Sequence, residues 1–212
     1  MTGETNPIEE PSYAWPQKGD QLIKADNDWW FNASIDWWNK DFGIYGDGYK
    51  KAADLLVDHI VEIRSGARNP IDYLIFPIAF LYRQYVELKL KEIIRLSNDI
   101  SLVEDRAPTH HKLDELWSRV RTILEEESVS SEDLNVVGYC IAELVAVDPA
   151  STAFRYPFDK QGKDSIGQEQ VQINVRNLKE TMTKLGNFFL GCSEAMYVKL
   201  QYLEEMRGYS SY

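Results

Sequence analysis

From residue 49 onward, apolar residues recur at helical spacing. Tyr49, Ala52, Ala53, Leu55, Leu56, Ile60 and Ile63 make a stripe that stops near Ser65-Gly66 and predicts a first helix. Asn69-Pro70 opens a second segment, nearly all apolar from Ile71 to Tyr82 and amphipathic from Arg83 to Leu96. That pattern predicts a central helix whose first half is buried on all sides, with Pro77 kinking it or ending a first turn. Leu113, Leu116, Trp117, Val120, Ile123 and Leu124 predict a third helix. Ser130-Ser131-Glu132-Asp133 reads as the cap of a fourth, which runs through Val136, Val137, Cys140, Ile141, Leu144 and Val145 to Asp148-Pro149. A loop with a short extended piece, Val171 to Val175, leads to a long last helix spanning Leu178 to Leu203. The fold class is therefore all-α, an antiparallel bundle of about five helices.

The first 45 residues differ in character. Residues 1–20 carry three prolines and little periodicity, which predicts an extended tail. Five of the six tryptophans fall before residue 40, and Asp28-Trp29-Trp30 recurs as Asp36-Trp37-Trp38. Eight residues exceed two helical turns only slightly, so the two pairs fit one face of a short helix. They can serve either to dock the arm as a lid or dimer clasp or to stack a ligand. The expected division is an arm over 1–45, a helical bundle over 46–206 and a tail over 207–212.

Composition narrows the function classes. With 212 residues, 44% hydrophobic and 12% aromatic, the chain can bury one sizeable core. Its net charge of -11 opposes a broad electrostatic grip on nucleic acid, so DNA is not an expected partner, while a narrow basic site stays open. Cys140 and Cys192 lie within apolar helical patterns and read as small core residues of a reducing, cytoplasmic protein. The N-terminus lacks the basic and apolar regions of a signal peptide, and no apolar run approaches the roughly 20 residues of a membrane span. Asn32-Ala33-Ser34 fits the glycosylation tripeptide but, without export, should stay bare.

Candidate chemistry gathers on three segments. Arg83, Glu87 and Lys91 stand four apart on the central helix, either as an ion-pair ladder on a solvated face or as a guanidinium at a pocket mouth. His110-His111 sits at the opening of the third helix, where the dipole favours a neutral imidazole able to accept a proton. His110 with Asp114 and His111 with Glu115 have the spacing of metal ligands, but no third ligand stands in register, so no metal and no cofactor is expected. Arg106 precedes His111 at a short spacing. In Phe154-Arg155-Tyr156-Pro157, Arg155 is placed either to hold a phosphate or carboxylate bidentately or to cap helix ends from within the fold, with Tyr156 beside it. Asp41-Phe42-Gly43 copies a kinase triplet without the other kinase elements, and no Walker loop, dinucleotide fingerprint or nucleophile elbow is present. His59 reads as a satisfied, semi-buried histidine.

Tyr82-Arg83 to Lys91 on the central helix, His111-Lys112-Leu113 with Leu116 opening the next, and Arg155-Tyr156-Pro157 beyond the following one resemble the HEPN superfamily. These are small α-helical proteins of prokaryotic toxin and defence systems, and the likeness covers about residues 45–205. The resemblance implies one of two functions. In the first, a homodimeric, metal-independent ribonuclease uses His111 as general base or acid and Arg106 or Arg155 to stabilise the phosphate. Here Ala107 and Pro108 follow Arg106, where family nucleases usually carry a polar residue. In the second, a non-catalytic module or complex subunit binds a protein or small ligand through Arg83, Glu87, His111, Arg155 and Tyr156.

Overall fold

The computed structural model describes residues 14–35, 41–63, 70–103, 108–166 and 171–209. The chain divides into two compact units, Met1–Asn39 and Lys40–Tyr212.

In the first unit the described residues are exposed throughout and form a single 3-10 turn, Trp29–Phe31. Asp26 and Asn32 close the loop around it reciprocally: Asp26 N donates to Asn32 Oδ1 at 3.0 Å, and Asn32 Nδ2 to the Asp26 carbonyl at 2.6 Å. Trp29 and Trp30 stack with ring centroids 4.0 Å apart, so this pair forms one slab rather than a helix face. Trp37 and Trp38 lie outside the described residues.

The second unit is all helical, with five helices and no strand among its described residues. Helix α1 spans Phe42–Glu62, opening where Asp41 Oδ1 accepts the Ile44 N–H at 3.1 Å. It therefore takes in residues 42–45, which the composition shift assigned to the arm. Gly43 and Gly46 face the next helix, where a Cβ would come within 2.6 Å of Glu92 Oε1 and 3.5 Å of Leu88 Cβ respectively. Their lack of a side chain lets the two helices approach. Ala53, Val57 and Ile60 form the buried seam, whereas Leu55 and Ile63 of the expected stripe face solvent.

Helix α2, Ile71–Ser101, runs unbroken through Pro77. Its burial departs from expectation: in the apolar first half only Ile78, Ala79 and Tyr82 are buried. Tyr73 and Phe76 in the apolar first half are 63% and 41% exposed, while every residue from Tyr85 to Ile94 is buried. The cause is position: α1, α3 and α5 all pack on α2, making its polar half the axis of the core. The charges there are paired internally. Lys89 Nζ lies 3.1 Å from Glu92 and 3.2 Å from Asp47. Burial alone would lower the Lys89 pKa, but the two carboxylates more than offset it and raise it. The helix ends at Leu102, whose left-handed φ of 55° turns the N–H of Val103 back onto the Asn98 carbonyl at 3.0 Å.

Helix α3, Leu113–Glu126, buries Leu113, Leu116, Trp117, Val120 and Leu124. Helix α4, Ser131–Val147, begins where Ser130 Oγ accepts the Glu132 N–H at 3.2 Å. It packs on α3, with Trp117 seated over Gly138. Helix α5, Val175–Tyr209, is longer at both ends than its stripe indicated. Asn174 Oδ1 accepts the Arg176 and Asn177 N–H groups at 3.0 and 3.1 Å, so the helix starts at the last residue of the expected extended piece, Val171 to Val175. Phe189 of α5 meets Tyr85 edge-on, with centroids 6.3 Å apart, in the middle of the core. None of the five helices is long and apolar enough to cross a membrane.

Candidate functional site

Arg83 and Glu87 are successive turns of one face of α2, both 1% exposed at the side chain. Arg83 Nε reaches the Asp148 carbonyl at 3.3 Å, Nη1 donates to Ser151 Oγ at 2.6 Å, and Nη2 donates to the His111 carbonyl at 2.9 Å. Its guanidinium thus ties α2 to the start of α3 and to the loop after α4. Nη1 also lies 3.5 Å from Glu87 Oε2. Burial lowers the Arg83 pKa, and the Asp148 and Glu87 carboxylates offset only part of that.

The loop that receives Arg83 is built for it. Asp148 follows the last turn of α4, and its Oδ1 accepts the N–H groups of Thr152 and Ala153 at 2.7 and 2.9 Å. Its other oxygen, Oδ2, has no hydrogen-bond geometry but faces Arg83 Nε at 3.5 Å as an ion pair. Ser151 adopts a left-handed φ of 60°, a conformation disfavoured for a residue with a Cβ. That conformation places its hydroxyl on Arg83 and its carbonyl on Arg155, which donates to it through Nε at 2.8 Å and also through Nη2. Arg155 then lies over the rings of Phe80 and Tyr156, 5.6 and 5.7 Å from their centroids.

Glu87 carries the other half of the network. Its Oε1 lies 2.8 Å from Lys91 Nζ and 2.8 Å from His111 Nδ1. The ion-pair ladder of Arg83, Glu87 and Lys91 therefore exists, but in the interior rather than on a solvated face. His111, by contrast, exposes 61% of its side chain. A carboxylate only accepts, so Nδ1 carries the hydrogen of this contact, and in the neutral form of the ring Nε2 then holds the lone pair. The imidazole precedes Lys112, the N-cap of α3, so helical spacing does not apply to it. Among the described residues neither His110 with Asp114 nor His111 with Glu115, pairs that share only the spacing of metal ligands, forms an ion pair. His110 Nε2 instead meets Glu115 at 3.6 Å.

The structure thus gathers Arg83, Glu87, His111 and Arg155 into one network through Ser151, with Tyr156 on its rim. Arg83 and Glu87 are too buried to touch a ligand, so they position groups that can. Arg106 lies outside the described residues. Asp148 and Ser151 were missed as site residues, and Asp148-Pro149 reads in the sequence only as a helix stop. Among the described residues, no three His, Cys, Asp or Glu side chains gather as metal ligands. A groove of about 1190 Å³ borders Arg155 and Tyr156, between the first turns of α2, residues 153–166 and the start of α5. Set against protein-family models, curated proteins and solved structures, the chain matches none of them.

Proposed function

We propose that this chain is a HEPN-like, metal-independent endoribonuclease, the effector of a prokaryotic toxin or anti-phage system that works in the cytoplasm as a homodimer. His111 is its proton-transfer group, and Arg155, with Arg106 as the other candidate, is the cation at the phosphate. The observation that supports this reading is the exposed imidazole of His111 held through Nδ1 by the buried carboxylate of Glu87 at 2.8 Å. That arrangement fixes tautomer and orientation, and it leaves Nε2 to act on a substrate. Nε2 takes the proton of a ribose 2′-hydroxyl, O2′ attacks the adjacent phosphorus, and the bond to O5′ breaks. The imidazolium returns its proton to O5′, leaving a 2′,3′-cyclic phosphate and a 5′-hydroxyl. Nη1 of Arg155 makes no hydrogen bond among the described residues and is available to a phosphate oxygen.

The test is the single-turnover rate on RNA in EDTA. Loss of general acid–base catalysis lowers it about a hundred- to ten-thousandfold in His111→Ala. A rate unchanged in that variant ends the proposal. The alternative, a non-catalytic module recognising a protein or small ligand, is favoured by the net charge of -11 and by the exposed slab of Trp29 and Trp30.

A further inference from the structure

The groove beside Arg155 has a chemistry of its own. Phe76 and Tyr156, 41% and 56% exposed, contribute aromatic rings to its wall, and Ile71 and Ile75 of α2 with Ile166, Val171 and Ile173 add aliphatic side chains. Four charges line it: Arg155 and Arg176, Asp72 and Asp164. All four are exposed, and none forms an ion pair among the described residues, although opposite signs share the same cavity. An occupant that satisfies this lining carries an anion for the arginines, N–H donors for the carboxylates and a flat ring for the aromatics. A fatty acid offers the carboxylates no donor, and free phosphate offers the rings nothing to stack on.

A nucleotide meets all three demands. Its phosphate suits a guanidinium, its base stacks on aromatic side chains, and the adjacent N1–H and N2–H of guanine match a carboxylate that only accepts. The volume exceeds that of most small-ligand clefts and holds a nucleotide comfortably. We infer that this groove is a nucleotide subsite of guanine preference, with phosphate on Arg155 and Arg176, base against Phe76 and Tyr156, and base donors on Asp72 or Asp164. The inference deepens the ribonuclease reading and rests on it for the claim that the natural occupant is a residue of single-stranded RNA. Ser151 links the subsite to the proton-transfer group, because it takes both Arg155 and the guanidinium that holds His111.

The experiment is calorimetric titration of the full chain in EDTA with GMP, UMP, ribose 5-phosphate and decanoate. Wild type, Arg176→Ala and Phe76→Ala are compared, with circular dichroism confirming that the variants fold. GMP is expected to bind wild type more tightly than UMP, and at least about tenfold more tightly than ribose 5-phosphate. Each substitution should weaken GMP by about tenfold or more. Equal binding of GMP and ribose 5-phosphate, unchanged affinity in the variants, or binding of decanoate in place of GMP overturns the subsite. GMP binding by a protein that leaves RNA intact removes the nuclease reading and keeps the groove. RNA cleavage by a protein that does not bind GMP removes the groove alone.

Discussion

His111 Nδ1 lies 2.8 Å from Glu87 Oε1, an exposed imidazole fastened to a carboxylate with 1% of its side chain in solvent. Arg83, one turn earlier on the same helix, holds the backbone carbonyl of His111 at 2.9 Å. Two neighbouring side chains of α2 thus fix both the main chain and the ring of one surface residue. The same buried pair reaches Lys91, Asp148 and Ser151, so site geometry and core stability share their groups.

That sharing makes Glu87→Gln costly. The amide keeps the shape but removes the charge that Arg83 and Lys91 face in the interior. Uncompensated buried charge typically costs about 3–5 kcal/mol. Urea unfolding should show a lower midpoint with an unchanged slope, and a loss below about 1 kcal/mol would mean the network carries little of the stability.

At Ser151 two effects oppose each other. Ser151→Ala removes the hydroxyl that accepts from Arg83 at 2.6 Å and should cost about 1–3 kcal/mol. Ser151→Gly loses the same hydroxyl but relieves the left-handed backbone at φ 60°, worth roughly 1 kcal/mol. Parallel denaturation curves should therefore place the glycine variant above the alanine variant.

Gly138→Ala tests the contact between α3 and α4. An added Cβ would sit 2.8 Å from Nε1 of Trp117, a ring only 8% exposed. Overpacking of about 1–3 kcal/mol should outweigh the gain in helix propensity, about 1 kcal/mol at most, and lower the melting temperature. An alanine variant more stable than wild type would show that Trp117 yields.

Burial pushes the Cys192 thiol up to about 11. At pH 8 about one thiol in a thousand is then ionised, so iodoacetamide should label native Cys192 far more slowly than the unfolded chain. The linkage sign follows. A folded pKa above the unfolded value gives stability that is complete below the unfolded value and is lost as pH rises toward about 11. Labelling of the native protein as fast as the denatured one would contradict the burial.

The helices were legible in the sequence because their apolar periodicity is local. Leu113, Leu116, Trp117, Val120 and Leu124 announce α3 without any knowledge of what they pack on. What α2 buries was not legible. Charged residues such as Lys89 and Glu92 read as solvated until α1 supplies Asp47 and the core closes around them. The spacing of Arg83, Glu87 and Lys91 marked the site, but the partner of His111 lies 24 residues away, beyond any spacing rule. Assigning helical spacing to His110 and His111 failed because both precede the first turn of α3. Ser151 carried no signal, since its role depends on a backbone conformation that serine seldom adopts.

The most direct test of the central claim is incubation of a mixed RNA pool in EDTA with purified wild type and His111→Ala, followed by analysis of the fragment ends. His111 is 61% exposed and Glu87 keeps Lys91 in its absence, so the variant should fold. The account predicts fragments from wild type alone, ending in 2′,3′-cyclic phosphate. Intact RNA in both samples, or equal cleavage in both, would contradict it.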